Sequence, residues 1–379
     1  MRFPPLALAA ALALATGCSP AAVARETNQA TVPAKVNWSI TEANREDGQV
    51  QFQISYKTAH SESVHSNGVP LSELQGLTRE QLAGGSGPVR FRMARDAGTF
   101  DCEGTAWHGR GTGECRFAGD PAFAAELQRR GYGTPTEYQL FALALARTGR
   151  DYVAELERQG YTRPSVDDLV DAGWHGAGTD YLKAMGSLGY RVGTVQALVR
   201  MRDHGVDADY VRELVGAGLR DIPAETLVDM RDHGVQPAYI GELRRLGYQN
   251  VPIPELIALR DHGIDAAYVE ALAAQGIRSL PLTELIRLRD HGVTQEFVGA
   301  VRQAGFTGLS TDEVIDLRDH GVNANFVRAL KDMGYSTLPA AQIVRLADHG
   351  VSADFIRRAN ASGGKRTPEE LISLRDGGY

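Results

Sequence analysis

The chain is short of cysteine, with three in 379 residues, and of aromatics, at 7%. So few cysteines exclude a scaffold built from many disulfides. An excess of positive charge is also missing. Forty Lys and Arg stand against 47 Asp and Glu, for a formal net charge of −7, so neither nucleic acid nor an anionic membrane surface is implied as a partner. The apolar run at the N-terminus, Leu6 to Ala15, is too short to span a bilayer. Enzyme signatures are absent as well: there is no HExxH, no Walker-type phosphate loop and no GxSxG elbow. The chain is therefore expected to be non-catalytic, with no cofactor and no resident metal.

What is present is the balance of a folded protein, 43% hydrophobic and 23% charged. Residues 1–18, "MRFPPLALAAALALATGC", combine one basic residue, a short apolar run and small residues before Cys18, the layout of an export signal. "LATGC" resembles a bacterial lipobox, which implies that Cys18 is lipidated and becomes the mature N-terminus. The alternative is an ordinary signal peptide cut near the same place. By the same resemblance, Ser19 implies sorting to the outer membrane, on the periplasmic face. Residues 19–36 are rich in Ala, Thr and Pro without periodicity and are expected to be a flexible tether. Export places the remaining Cys102 and Cys115 in an oxidising compartment, where an even pair predicts a disulfide.

Residues 37–119 predict a small antiparallel β domain. "VQFQISY" (Val50–Tyr56) and "VRFRMAR" (Val89–Arg95) alternate apolar and polar, and Asp47-Gly48 is a turn signal after "NWSIT". A short helix is expected within Leu71–Leu82. If "TFDCEGTAWHGRGTGECRF" is a hairpin turning near His108-Gly109, residues whose numbers sum to 217 face each other. That register opposes Phe100 to Phe117, Cys102 to Cys115 and Gly104 to Gly113, and cross-strand spacing suits a disulfide. His60, His65 and His108 match no metal-binding spacing and are expected in exposed loops or strand ends.

From residue 120 to residue 379 the sequence repeats. Aromatics stand 29 apart without a gap at Phe123, Tyr152, Tyr181, Tyr210, Tyr239, Tyr268, Phe297, Phe326 and Phe355. A second apolar column runs from Leu140 to Ile343 at the same spacing, and ends one residue early at Leu371. Each unit carries two helix patterns; Tyr210, Val211, Leu214 and Ala217 mark one apolar face. Asp207, Asp265, Thr294, Asn323 and Ser352 are N-caps for first helices, while Ser310 with Glu313 and Thr367 with Glu370 form capping boxes for second helices. Helices of about ten residues are marginal alone in water, so they must stack. The expected fold is α+β, mainly α: the β domain, then an α-solenoid of nine two-helix repeats.

Within the array "MRDHGV" returns as "MRDHGV", "LRDHGI", "LRDHGV" twice and "LADHGV". With Gly205 as the left-handed residue after a helix, Met201 and Val206 close the apolar contact of a Schellman stop. Arg202 and His204 suit the unpaired carbonyls at a helix C-terminus. Asp203, Asp232, Asp261, Asp290, Asp319 and Asp348 do not, since each puts negative charge at the wrong end. Each is expected to bond an Arg of its own or the adjacent repeat, or a backbone N–H at the next helix start. The histidine column, with His175, His204, His233, His262, His291, His320 and His349, also admits metal or proton sensing. The second repeat reads "AGWHGAG"; its Trp174 is expected either to pack on the β domain or to anchor a partner.

"YVxxLxxxGYxxLPxxELIxLRDHGV" resembles repeats of bacterial envelope proteins, some of which follow the peptidase domain of antirepressor-type (BlaR/MecR-like) membrane metallopeptidases. The preceding "FxCEG…GxGxCxF" hairpin resembles theirs too. The peptidase motif is absent, so the resemblance implies an accessory or sensory envelope module without protease activity. The leading expectation is a scaffold that binds a protein or peptide partner through the repeats and meets the membrane through its lipid anchor alone. The alternatives are an envelope sensor for metal, pH or a ligand, and an enzyme centred on the β domain.

Overall fold

The computed structural model describes residues 31–33, 35–42, 48–57, 62–274, 276–361 and 363–378. The export signal with Cys18, most of the tether, Asp47 and His60 lie outside these residues. Packing divides the chain between Asp203 and His204 into two compact units.

In the first unit, strands β1 (Val36–Glu42), β2 (Gln49–Lys57), β3 (Glu62–Pro70), β4 (Gly87–Arg95), β5 (Gly98–Trp107) and β6 (Arg110–Gly119) form one sheet in the order β3-β2-β1-β6-β5-β4. All its pairings are antiparallel. Alternation decides the buried face: Val50, Phe52, Ile54 and Tyr56 point inward from β2, and Val89, Phe91 and Met93 from β4. β3 was not expected as a strand. It is an edge strand with only Val69 buried, so its sequence carries no apolar alternation to reveal it. In place of one helix within Leu71–Leu82 there are a 3₁₀ turn, Leu71–Glu73, and a separate helix α1 (Arg79–Ala83). Between them Gln75 bridges back to Arg92, and Gly76 turns the chain at φ +101°.

The β5–β6 hairpin has the expected register, with Phe100 opposite Phe117, Cys102 opposite Cys115 and Gly104 opposite Gly113. His108 and Gly109 make the turn with φ of 43° and 79°. Cys102 and Cys115 lie at disulfide distance, with Cα atoms 4.0 Å apart. The opposed glycines make room for Trp38, which is 1% exposed and donates its indole N–H to the Glu103 carbonyl at 3.1 Å.

Three helix pairs complete this unit: α2 (Pro121–Arg129) with α3 (Glu137–Ala146), α4 (Arg150–Gln159) with α5 (Val166–Trp174), and α6 (Thr179–Ser187) with α7 (Val195–Asp203). α3 is buried at every position from Tyr138 to Ala144 because it lies between β5–β6 and α5. Asp96, from the β4–β5 turn, caps α4 from outside: it accepts from the Arg150 backbone N–H at 2.8 Å and from the Arg150 guanidinium at 2.7 Å. Glu73 pairs with Arg95 at 2.5 Å and Arg147 at 2.9 Å. The sheet and the first repeats therefore share a core.

The second unit begins its helices with α8 (Ala208–Gly216) and α9 (Ala224–Asp232) and ends them with Ala353–Ala361 and Pro368–Asp376. First helices stack on first helices and second on second, as in a solenoid. The caps sit where the sequence places them: Asp207, Asp265, Thr294, Asn323 and Ser352 each accept the N–H three residues on. Both capping boxes close.

Candidate functional site

The RDHG segment is the feature with the most chemistry, and its geometry starts from a helix stop. At the end of α9, Gly234 has φ +70° and donates to the Arg231 carbonyl at 3.0 Å, while Val235 donates to Met230 at 2.8 Å. Gly263/Ile264, Gly292/Val293, Gly321/Val322 and Gly350/Val351 repeat both bonds. This is the Schellman pattern, with the apolar flanks buried.

The arginines are not free to cap their own helix. Each lies over the aromatic ring of its own repeat: Arg202 on Tyr181 at 5.4 Å, Arg231 on Tyr210 at 4.6 Å, Arg260 on Tyr239 at 5.0 Å, Arg289 on Tyr268 at 5.3 Å and Arg318 on Phe297 at 5.0 Å. Each also crosses the turn glycine of the preceding repeat; a Cβ on Gly205 would sit 2.9 Å from the Arg231 guanidinium. Arg318 donates through Nε to the Gly292 carbonyl at 2.9 Å and through Nη1 to the Val322 carbonyl at 2.7 Å. Elsewhere a tyrosine hydroxyl reaches the equivalent carbonyl: Tyr210 donates to Val235, and Tyr239 to Ile264, both at 2.8 Å. Burial pushes both hydroxyls up to about 12. The repeating aromatic is thus both core and platform. Its fixed offset from the arginine is legible in the sequence, whereas the stacking of the two is not.

The aspartates have a different partner from the one expected. Each accepts from the histidine of the preceding repeat, not from an arginine or a helix-start N–H. The Nδ1–Oδ1 distances are 2.7 Å for His175–Asp203, 2.6 Å for His204–Asp232 and 2.5 Å for both His233–Asp261 and His262–Asp290. They are 2.8 Å for His291–Asp319, 2.6 Å for His320–Asp348 and 3.0 Å for His349–Asp376. One rung stands in the first unit and six in the second. Both residues of a rung are near helix C-termini, so the imidazole supplies the positive end that the aspartate lacks. Stacking brings position n of one repeat beside position n−1 of the next, a separation of 28 residues; the 29-residue period contains that pairing but does not select it.

A ring nitrogen held by a carboxylate resembles part of a catalytic dyad, yet the motif places no Ser, Thr or Cys at a fixed position beside it. Among the described residues no cluster of three or more His, Cys, Asp or Glu side chains is arranged to hold a metal ion. The rungs are 32–53% exposed on each side chain, and exposed pairs of this kind contribute little each. Replacing Arg260 with alanine is expected to cost more, on the order of 1–2 kcal/mol, because it removes the contact with the Tyr239 ring and the packing of the guanidinium across Gly234 of the preceding repeat. Thermal unfolding of Arg260→Ala beside Asp261→Asn checks the order; equal shifts would refute it.

Two rungs carry a pH dependence. Hydrogen bonds donated to Asp261 and Asp348 hold the His233 and His320 imidazoles above their ordinary 6.5, helped by the charges of those two carboxylates and then of Asp229 and Asp232, and of Asp316 and Asp319. A raised pKa means that the folded state binds the proton more tightly. The stabilisation is complete below about 6.5 and lost as pH rises through the folded values. The unfolding midpoint of the second unit is therefore expected to fall between pH ~6 and ~8, with a shallower slope in a His233→Gln, His320→Gln variant. An identical slope in that variant would remove the rungs as the cause. Neutral imidazole can still donate from Nδ1, so the ladder weakens rather than breaks.

Trp174, at the position of an aspartate, stacks on His65 at 5.8 Å, and His65 stacks on Tyr56 at 5.7 Å. It packs on the sheet while remaining 38% exposed. His65 is accordingly half-buried in β3, not an exposed loop residue, and burial lowers its pKa. Gly173, in the arginine position, is required by the close approach of α3: a Cβ there would lie 2.5 Å from the Ala146 carbonyl. Cys102 and Cys115 are far from this chemistry in role, pinning the hairpin under Trp38. No protein-family model matches the sequence, and no curated protein matches it.

Proposed function

We propose that the protein is a non-catalytic scaffold of the bacterial envelope, exported, lipid-anchored through Cys18, and binding a protein or peptide partner through its repeat surface. The observation that carries this reading is where the repeated polar chemistry goes. His and Asp of the motif pair between neighbouring repeats, and Arg stacks on the ring of its own repeat and, at Arg318, bonds the preceding one, which is the work of building a surface rather than turning over a substrate. Stacked helix pairs offer long surfaces to polypeptides. The resemblance to repeats associated with envelope metallopeptidases supports the same placement, without their protease activity.

A pH-responsive sensor is the second reading, favoured by the raised His233 and His320. The deciding experiment is site-specific photo-cross-linking in envelope fractions, with the reactive residue placed at Asn325 on a first helix or at Arg90 on the sheet. One discrete partner captured from Asn325 alone supports the scaffold. Equal labelling from both sites, or no partner at any pH, would sink it. A partner captured only in acid would favour the sensor.

A further inference from the structure

The eighth repeat breaks the arginine rule by one residue: Ala347 stands where Arg318 stands one repeat earlier. The space is not closed by anything else. A cleft of about 520 Å³ is lined by Gly321, Phe326, Ala347 and Val351, among others. Phe326 is only half-buried, whereas its counterpart Phe297 is 1% exposed. A Cβ built on Gly321 meets nothing within 4 Å, whereas one on Gly292 meets the Arg318 guanidinium at 3.5 Å.

Three groups hold Arg318: the Phe297 ring, the Gly292 carbonyl and the Val322 carbonyl. One period of 29 residues later these are Phe326, Gly321 and Val351, and all three line the cleft. The Val351 carbonyl also lacks its other usual donor, because Phe326 has no hydroxyl to play the part of Tyr210 or Tyr239. Among the described residues no donor reaches either the Gly321 or the Val351 carbonyl. The charges at the rim are already paired, His320 with Asp348 and Arg357 with Asp354.

We propose that this cleft binds the guanidinium of an arginine side chain presented by a partner polypeptide. A planar cation that stacks on a ring while donating in two directions fits these three groups; an ammonium fits one at a time. The cleft opens beside the exposed Asn325 and Arg357, so a side chain can enter from a backbone outside. This inference rests on the polypeptide-binding reading and gives it one site and one ligand chemistry.

Calorimetric titration of the full chain with a blocked Gly-Arg-Gly peptide tests it, beside the Gly-Lys-Gly peptide and free arginine. The arginine peptide is expected to bind once per chain, roughly tenfold tighter than the lysine peptide and tighter than free arginine. Ala347→Arg should fill the cleft from within, abolish binding and raise the unfolding temperature. Arg318→Ala should open a second cleft and raise the stoichiometry to two. No saturable binding, binding retained by a folded Ala347→Arg chain, or equal affinity for free arginine would overturn the proposal. A cross-linked partner whose capture survives Ala347→Arg would overturn this site and leave the scaffold standing. Peptide binding with no partner captured would do the reverse.

Discussion

Replacing Phe141 with alanine is expected to destabilise the first unit by about 3–5 kcal/mol, the range for deleting a fully buried aromatic. Phe141 is 0% exposed and sits on α3 among Tyr56 at 5.1 Å, Phe117 at 5.4 Å and Phe100 at 5.7 Å. Those three come from β2, β6 and β5, so the ring is shared by three strands and one helix. The surrounding sheet is held by its ladder and by Cys102–Cys115, and cannot collapse into the space. Part of the cost is therefore a cavity as well as lost transfer energy. The protein provides its own reporter, since its three tryptophans, Trp38, Trp107 and Trp174, all belong to this unit. Urea unfolding followed by tryptophan emission should show the full loss in Phe141→Ala and about 1 kcal/mol in Phe141→Leu. A loss below about 1 kcal/mol in the alanine variant would mean that the sheet and the repeats do not share a core.

Gly113→Ala should cost about 3 kcal/mol, the upper end for overpacking, although it adds a single methyl group. The added Cβ would lie 2.0 Å from the Glu103 carbonyl, 2.6 Å from the Gly104 Cα and 2.7 Å from the Trp38 indole nitrogen. Two of these are backbone, so relief requires β5 and β6 to separate, and the Trp38–Glu103 hydrogen bond would be lost with them. Gly216→Ala is the contrast. It is helical, a Cβ there meets nothing within 4 Å, and removing the entropy of a helical glycine should leave stability unchanged or raise it by up to ~1 kcal/mol. Tryptophan emission reads the first variant and far-ultraviolet circular dichroism the second. A Gly113→Ala chain that unfolds with the parent would remove the close approach of Trp38 as the reason for the glycines.

Local physics was legible where one residue or one short spacing decides it. Gly234 must be left-handed to end α9; Ser310 with Glu313 must close a capping box; a register fixed by Cys102 and Cys115 also aligns Phe100 with Phe117. β3 was not legible, because an edge strand that buries only Val69 has no reason to alternate. Trp174 was legible as an anomaly but not as a choice between sheet and partner. The stacked His65 that receives it lies more than a hundred residues away in sequence.

The sequence by itself determined the helices, their stops and their period, because caps and left-handed glycines act over four or five residues and a period requires no partner. The tertiary structure decided what the aspartates and arginines are for. Asp232 is adjacent in sequence to both an arginine and a histidine, and a helix C-terminus penalises it whichever it chooses. The offset between stacked repeats brings His204 to it at 2.6 Å, while the packing of the two helices within one repeat sends Arg231 to Tyr210. Both arrangements arise from side-chain packing between helices, and where Ala347 replaces the arginine the same packing leaves a gap beside Phe326.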